Sequence, residues 1–270
     1  VQINVTYAGQ SLPVTQFARI PSTNPNPASW ESVPATGLPQ DQVAVLFMSS
    51  DPSSQNGGMS LVCPVPAANP WATAVHGTGK GQAWHITTDA PVSAYDIHPY
   101  GGAASFLPSA EMLLPTSAWG TNYVAVVPKL GEMLNPPSGP GPQYGTIVAK
   151  ENNTTVTVLP RVALPGGNGV AAAPANQPTQ FTLQQHEFIQ WEPSQEMSGT
   201  IISSDKPVAF TGGNGYLCLK GMSSKGGGCD SGHQAIPPVA ALGYRYVGIP
   251  YTTRRADLQP ESIIYRIVGA

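Results

Sequence analysis

The residues that come closest to a catalytic arrangement are Asp230, Ser231 and His233, which lie close together toward the C-terminal end. An acid, a hydroxyl and an imidazole are the groups of a hydrolytic triad, and Asp with His also supplies two metal ligands. Neighbouring residues on one short loop rarely reach triad geometry, and two ligands do not complete a metal site. We therefore predict no catalytic residue here and keep Asp230 and His233 as candidate ligand contacts.

Other catalytic and metal-binding patterns are missing from the sequence. No Gly-x-Ser-x-Gly segment marks a nucleophile. The remaining histidines do not show the spacing of a zinc site and are interpreted as surface or capping residues; they are His76, His85, His98 and His186. The sequence therefore predicts no metal, no cofactor and no enzyme activity.

Two of the three cysteines flank a Gly-rich segment. Cys218 and Cys229 enclose Leu-Lys-Gly-Met-Ser-Ser-Lys-Gly-Gly-Gly, and a disulfide between them would close a short loop. Such a bridge contributes about 2–3 kcal/mol, mostly by restricting the unfolded chain. The alternative is a pair of free thiols in a cytosolic protein. We predict the disulfide, which indicates an extracellular compartment, and we expect Cys63 to be a buried residue without a disulfide partner.

Aromatic side chains in loops are further candidates for contact with a ligand. Trp30 and Trp71 lie in Pro- and Asn-rich segments, where an exposed indole could stack on a glycan or pack against a protein. The alternative is that both side chains are buried and anchor their loops. We keep Trp30 and Trp71 as candidate ligand contacts.

Composition excludes several classes of function. Charged residues make up only 10% of the 270 residues, and the net charge is −3 without a basic run. Binding to nucleic acid is therefore not predicted. No stretch approaches the roughly 20 apolar residues of a membrane span. The 29 glycines and 29 prolines disfavour long helices, whereas 41% apolar residues suffice for a core. The sequence predicts many short strands joined by turns.

The chain nearly repeats itself in two places. Residues 86–92 read Ile-Thr-Thr-Asp-Ala-Pro-Val and residues 202–208 read Ile-Ser-Ser-Asp-Lys-Pro-Val. Further along, 115–124 and 238–247 share a Pro at the start and a Gly-x-x-Tyr-Val ending. One supersecondary unit used more than once is expected. We predict an all-β fold of repeated antiparallel sheet units in a propeller-like array, with a two-sheet β-sandwich as the alternative.

One aspartate recurs in both copies of the first repeated block. Asp89 and Asp205 occupy the same position in the two copies. A metal ligand or catalytic acid used twice is one interpretation. We favour the other, in which each is a turn residue whose carboxylate accepts backbone N–H bonds.

Two segments are distinguished along the chain. Residues 1–41 are predicted to be an N-terminal strand and a Pro/Ser/Asn-rich loop, and residues 42–270 a repeat-built β domain, expected to be a fragment of a longer chain. The clearest hairpin is 146–159, with its turn at Glu151, Asn152 and Asn153. A turn is also predicted at Asp205 and Lys206. The predicted core alternates along the strands and comprises Val45, Phe47, Val124, Val126, Ile147, Val156, Val158, Ile201, Val208 and Val247.

Three blocks carry a resemblance to a known family. They are Thr-Ile-Val-Ala-Lys-Glu-Asn-Asn-Thr-Thr-Val-Thr-Val at 146–158, Ile-Ser-Ser-Asp-Lys-Pro-Val-Ala-Phe-Thr-Gly-Gly-Asn at 202–214, and Cys229-Asp230…His233-Gln234 followed by Leu242-Gly243…Tyr246-Val247. In this order they resemble the N-terminal domain of the IgGFc-binding protein, which recurs in bacterial secreted or surface proteins. The resemblance spans roughly 42–270. It implies an extracellular, noncatalytic adhesion module and does not imply antibody binding.

Three functions follow, in order of preference. The first is an extracellular or cell-surface binding module that recognises a protein or glycan or associates with itself. The second is a structural subunit of an extracellular filament or coat, since low charge and strands that are open at both ends suit pairing between chains. The third and least favoured is a hydrolase on a β-propeller scaffold.

Overall fold

The architecture was obtained as a computed structural model of the chain. It describes residues 1–21, 30–53, 55–56, 59–60, 62–98, 109–128, 142–217, 230–250, 252–253, 256–260, 265 and 267–269.

Nearly every regular element is a β-strand, so the predicted all-β class is confirmed. One helical turn spans Val14–Phe17, and 3₁₀ turns lie at Thr116–Ala118 and Val239–Ala241. None of the helices in the described ranges is long and apolar enough to cross a membrane. The strands are β1 (Ile3–Tyr7), β2 (Gln10–Leu12), β3 (Ala18–Pro21), β4 (Trp30–Ser32), β5 (Val45–Leu46), β6 (Gln55–Asn56), β7 (Met59–Ser60), β8 (Gly79–Gln82), β9 (Trp84–Thr88), β10 (Tyr95–His98), β11 (Ser109–Met112), β12 (Gly120–Val124), β13 (Gln143–Ala149), β14 (Thr154–Leu159), β15 (Thr179–Leu183), β16 (Glu187–Trp191), β17 (Ile201–Leu217) and β18 (Asp230–Ile236).

One large antiparallel sheet dominates. It has eight strands in the order β15-β14-β17-β13-β16-β8, with β12 and β18 also paired to β17. The smaller sheets of the described chain are β2-β1-β9, β4-β3-β5, β10-β11 and β6-β7. These strands do not show a propeller-like array; the sheets have a sandwich-like character, which was the alternative expectation.

Strand β17 organises the large sheet because it changes partners along its 17 residues. Its first part pairs with β14 and β12, and its second part with β13 and β18. The predicted turn at Asp205 and Lys206 is therefore wrong: the strand continues through both residues. The predicted hairpin also differs, because β13 and β14 each pair with β17. The turn between them does have the expected conformation, with Asn153 at φ 53°.

The core lies mainly inside the large sheet, where alternate residues of β13, β14 and β17 are buried. Five of the predicted core residues are indeed buried: Phe47, Ile147, Val156, Val158 and Val208. Three are only half-buried, and two are exposed, Ile201 at 50% and Val247 at 92%. The half-buried three are Val45, Val124 and Val126. The prediction for 123–127 was wrong by one residue, since Tyr123, Ala125 and Val127 are the buried ones.

The N-terminal segment is built into the sheets. Strand β1 pairs with β9, with Val5 opposite Ile86. Within the range predicted as a loop, strands β3 and β4 pair with each other, and Val33 packs with Ala18 and Ile20 in a second, smaller core.

Candidate functional site

Three titratable side chains meet where the β10–β11 hairpin lies against the large sheet. Asp96 is on β10, Glu111 is directly opposite it on β11, and His233 is on β18. His233 pairs with Gly213 of β17, and its backbone N–H donates to Ser109 Oγ at 3.1 Å. The hairpin is thereby fixed to the sheet by both backbone and side chains.

The closest contact within this acid–imidazole cluster joins His233 to Asp96. His233 Nε2 and Asp96 Oδ1 are 2.5 Å apart, and the exposed fractions of the two side chains are 7% and 47%. Glu111 is 8% exposed, and Thr211 Oγ1 donates to its Oε1 at 3.5 Å. Thr211 follows Phe210, a core residue, along β17, so the cluster lies on the sheet face opposite to the main core.

Burial and neighbouring charges set the protonation of the cluster. Burial raises the pKa of the Glu111 carboxyl, and the Asp96 charge raises it further, while His233, the Ala235 N–H and Thr211 oppose this. For His233, burial alone would lower the imidazole pKa. The hydrogen bond and charge of Asp96, together with the Glu111 charge, raise the pKa above its ordinary value. The cluster therefore favours an imidazolium that is paired with Asp96.

A tyrosine ring packs over Gly213, the residue that pairs with His233. Tyr144 of β13 pairs with Gly213, and a Cβ built on Gly213 would lie 2.1 Å from the ring. Burial, with the charges of Glu111 and Asp96, raises the pKa of the Tyr144 phenol to about 12. The phenol therefore stays protonated at neutral pH.

The cluster could hold a cation by composition, but its hydrogen bonds serve another role. Among the described residues, Asp96, Glu111 and His233 offer ligand atoms within 4.8 Å of one another, and carboxylate oxygen with imidazole nitrogen suits several divalent metals. An ion would have to displace the hydrogen bond between His233 and Asp96. The ion pair between His233 and Asp96 fastens the hairpin to the sheet.

The sequence singled out one of these three residues. His233 was a candidate through its proximity to Asp230, yet its carboxylate partner is Asp96, 137 residues away. Asp230 begins β18, and its side chain is outside the described part of the chain. Asp96 and Glu111 carried no local signal, because only the pairing of β10 with β11 brings them together.

The two candidate tryptophans differ in exposure. Trp71 is 54% exposed, and its backbone oxygen accepts a hydrogen bond from Ser49 Oγ at 2.6 Å. Trp30 is half-buried and stands edge-on to Phe47, with ring centroids 5.2 Å apart. Trp71 thus presents an indole to solvent, whereas Trp30 packs within its own sheet region.

The predicted disulfide involves residues outside the described ranges, namely Cys218 and Cys229. Cys63 is a free cysteine and is half-buried. The bridge between Cys218 and Cys229 therefore stays a prediction.

Two further histidines, far apart in sequence, stack on each other. The rings of His85 and His186 have centroids 4.2 Å apart. Burial, followed by the charge of His85, lowers the pKa of His186. This contact joins β9 to the turn before β16.

The matched segments of the repeat make the same hydrogen bonds. Asp205 Oδ1 accepts the backbone N–H of Thr155 at 2.8 Å, and Asp89 Oδ1 accepts that of Gln2 at 2.8 Å. The residue before each aspartate carries a hydroxyl, and these hydroxyls also make matching bonds. Ser204 Oγ donates to Lys206 O at 2.6 Å, and Thr88 Oγ1 donates to Ala90 O at 2.8 Å. Both carboxylates thus accept backbone N–H bonds, as interpreted from the sequence, but Asp205 does so from within a continuous strand and not from the predicted turn.

The second pair of matched segments also shares a hydrogen bond but not an environment. In both copies a glycine N–H donates to the tyrosine hydroxyl three residues on, from Gly120 to Tyr123 and from Gly243 to Tyr246, at 2.9 Å each. Tyr123 is 1% exposed and donates to the Val208 carbonyl at 2.6 Å. Tyr246 is 75% exposed.

Comparison with known families agrees with the resemblance that the sequence blocks carry. A sequence model described as IgGFc binding protein matches residues 109–270. The chain belongs to the IgGFc-binding family. The matched range includes Glu111, His233 and both copies of the Gly-x-x-Tyr-Val block. No curated protein and no solved structure matches the chain.

Membership in the IgGFc-binding family indicates a general class of function. The family is one of protein-binding modules, typically extracellular, rather than one of enzymes. Within the cluster, His233 bonds to Asp96 and Glu111 bonds to Thr211, so these contacts join the β10–β11 hairpin to the large sheet.

Proposed function

We propose that this chain is an extracellular or cell-surface adhesion module that recognises a protein partner without catalysis. The observation that carries the proposal is the run of exposed aromatic and aliphatic side chains within the family-matched range. Tyr244, Tyr246, Val247 and Ile249 are 104%, 75%, 92% and 71% exposed. Contiguous exposed apolar residues mark interaction sites, and tyrosine is enriched at protein interfaces.

A second exposed aromatic residue supports the same proposal. Trp71 lies outside the matched range and presents its indole to solvent. A large, rigid side chain of this kind loses little conformational entropy on binding and contributes much contact area. Trp71 and Tyr244 are therefore the residues whose replacement should separate binding from folding.

The test is direct binding to purified proteins and to a glycan array. The proteins are IgG Fc, which the family description names, together with fibronectin, collagen and mucin, measured by biolayer interferometry. Tyr244→Ser and Trp71→Ala are compared with Val43→Ser, a control at an exposed apolar residue elsewhere. We expect one protein to bind, with an affinity loss of about tenfold or more in Tyr244→Ser or Trp71→Ala but not in the control.

The results that would contradict this are equally concrete. Absence of binding to every protein and glycan would remove the recognition function. Binding to glycans alone would replace the protein partner by a glycan. Turnover of ester, peptide or glycoside substrates would contradict the noncatalytic assignment.

A second candidate function is a structural subunit of an extracellular filament or coat. The observation that favours it is that Tyr246, whose counterpart Tyr123 is buried under β17, stands exposed. A surface of this kind suits strand addition by another chain. Electron microscopy of concentrated protein would show polymers if this function applies.

A further inference from the structure

Strands β12 and β17 form an interface whose parts occur twice in the sequence. Gly120 pairs with Val208, Asn122 with Ser203, and Tyr123 with Ile202. The Tyr123 hydroxyl donates to the Val208 carbonyl and accepts from the Gly120 N–H. Block 115–124 thus supplies the added strand, and block 202–208 supplies the edge that receives it.

The second copy of the added strand is present without a receiving edge. Residues 243–247 follow a 3₁₀ turn at Val239–Ala241, as β12 follows the one at Thr116–Ala118. The internal Gly243-to-Tyr246 hydrogen bond is already formed. Within the described ranges, however, 243–247 pairs with no strand, and Val247 is 92% exposed.

The second copy of the receiving edge is present without an added strand. Strand β9 ends the sheet β2-β1-β9, so no described strand pairs with its other edge. Just before β9, the Ala83 N–H donates to the His186 carbonyl at 2.7 Å. Strand β1 takes the place next to β9 that β14 takes next to β17. Val5 faces Ile86 as Val158 faces Ile202, and Asp89 accepts the N–H of Gln2 as Asp205 accepts that of Thr155. The unpaired edge is therefore the one that corresponds to the β12 side of β17.

Exposure of the equivalent side chains points the same way. Ile202 and Val208, which pair with β12 and belong to the main core, are both 0% exposed. Their counterparts Ile86 and Val92 are 38% and 51% exposed. Two apolar residues that are flanked by an added strand and buried in one copy are open to solvent in the other.

We propose that the chain associates head to tail, with residues 243–247 of one copy adding as an antiparallel strand to the free edge at β9 and Val92 of a second copy. The register follows from β12 on β17, and it places Gly243 opposite Val92 and Tyr246 opposite Ile86. The Tyr246 hydroxyl would then donate to the Val92 carbonyl. The second copy is the occupant because the same chain carries both halves of an interface that it already forms once internally.

The symmetry of this contact decides what it builds. The two surfaces differ, so the interface is heterologous. An assembly of any length therefore keeps an unused strand 243–247 at one end and an unused β9 edge at the other. Successive addition gives open chains or closed rings. The inference specifies the interface for the alternative function, filament or coat assembly, in which residues 243–247 bind a second copy in place of an external protein.

The association state of the purified protein tests the proposal. Sedimentation velocity from about 1 μM to about 1 mM covers the range in which a small strand-pairing interface is populated. Val247→Asp places a charge on the added strand, and Val92→Asp places one at the receiving edge. The matched controls are Leu258→Asp and Val43→Asp, which place the same charge at residues that are 78% and 65% exposed. Circular dichroism melting checks that all four variants fold.

We expect the wild-type protein to form larger species as its concentration rises. Val247→Asp and Val92→Asp should each weaken association about tenfold or more, while both controls associate as the wild type does. The decisive sample is a mixture of the two interface variants. Each retains the surface that the other lacks, so the mixture should give a one-to-one dimer that grows no further.

Three results would overturn the proposal. The first is a wild-type protein that stays monomeric across the whole range. The second is an equal loss of association in the controls and in the interface variants. The third is a mixture in which Val247→Asp and Val92→Asp do not complement each other, because complementation is required of a heterologous interface. If association fails in this way, Tyr244 and Trp71 are still candidate contacts for an external protein, and the binding assays test them separately.

Discussion

At the scale of single residues, burial decides what a hydrogen bond contributes. The hydroxyls of Tyr123 and Tyr246 each accept the N–H of the glycine three residues earlier. The Tyr123 hydroxyl also donates to a strand carbonyl in the core. Burial raises the pKa of the Tyr123 phenol. A buried carbonyl or N–H that loses its partner bears the full cost of desolvation, whereas an exposed one bonds to water instead.

Replacement of each tyrosine by phenylalanine tests this contrast. Tyr123→Phe should lower the free energy of unfolding by about 1–3 kcal/mol, because the Val208 carbonyl and the Gly120 N–H both lose a bond. Tyr246→Phe should change it by less than about 0.5 kcal/mol in dilute solution. Urea unfolding followed by tryptophan fluorescence measures both. Equal effects would show that the two sites have the same environment.

At the scale of elements, the phase of a strand decides which side chains it buries. In 123–127 the odd-numbered residues face the core, and Tyr123, Ala125 and Val127 are at most 1% exposed. Val126 is half-buried on the other face. A one-residue shift exchanges the two faces completely, since side chains alternate along a strand.

Aspartate at two adjacent positions measures this phase. Val127→Asp should lower the free energy of unfolding by about 3 kcal/mol or more, because it places an unpaired charge in the core. Val126→Asp should cost about 1 kcal/mol or less, since its carboxylate can reach water. Thermal unfolding of both variants gives the answer. A larger loss for Val126→Asp would mean that Val124 and Val126 face the core, as expected from the sequence.

The loop that precedes β18 depends on a different constraint. Cys218 and Cys229 enclose consecutive glycines, and ordering such a backbone costs more entropy than ordering other residues. We expect the two thiols to be joined by a disulfide, with Cys63 not bonded to either. Mass spectrometry of peptides prepared without reductant should show 218 linked to 229. Free thiols at both positions in freshly isolated protein would contradict this.

At the scale of the whole molecule, the acid–imidazole cluster joins the β10–β11 hairpin to the large sheet. Its charged groups come from three strands, and Tyr144 covers it from a fourth. The hydrogen bond between His233 and Asp96 crosses 137 residues of sequence, so it fastens parts of the chain that nothing local would hold together. The protonation of this cluster should therefore affect the stability of the assembled fold.

The free energy of unfolding should fall as the pH rises, because both raised pKa values act in the same direction. The pKa of His233 is raised above 6.5, so its stabilising contribution is full below that value and is lost as the pH rises through the folded-state pKa. The pKa of Glu111 is raised above 4.5, and its contribution also declines with rising pH. We expect the free energy of unfolding to fall from mildly acidic to mildly alkaline pH. Urea unfolding at a series of pH values measures this slope.

Two variants separate the contributions of the cluster. Glu111→Gln should raise stability at alkaline pH, because a buried charge is removed. His233→Gln should lower stability by about 1 kcal/mol at acidic pH, where the imidazolium pairs with the half-exposed Asp96, and should flatten the profile above neutrality. A His233→Gln profile that is parallel to the wild type would contradict the proposed role of the pair.

The sequence by itself determined the class of the fold and the character of many segments. Sparse charge and frequent Gly and Pro exclude long helices, and runs such as Thr-Val-Thr-Val at 155–158 form strands in any β context. The shared position of Asp89 and Asp205 was enough to interpret both as acceptors of backbone N–H bonds. The strand and turn preferences are local, whereas the N–H donors to Asp89 and Asp205 lie 87 and 50 residues away in the sequence.

Only the tertiary structure decided which strands meet. Strand β17 continues through Asp205 and Lys206 because β14 and β13 pair with it in succession, and no local signal reports a change of partners. The phase of β12 is set by the face that β17 offers, since the sequence Tyr-Val-Ala-Val-Val permits either face inward. Asp96, Glu111 and His233 form one cluster because three strands converge there. Contacts between distant segments depend on the packing of whole sheets, which the residue pattern of a single strand does not specify.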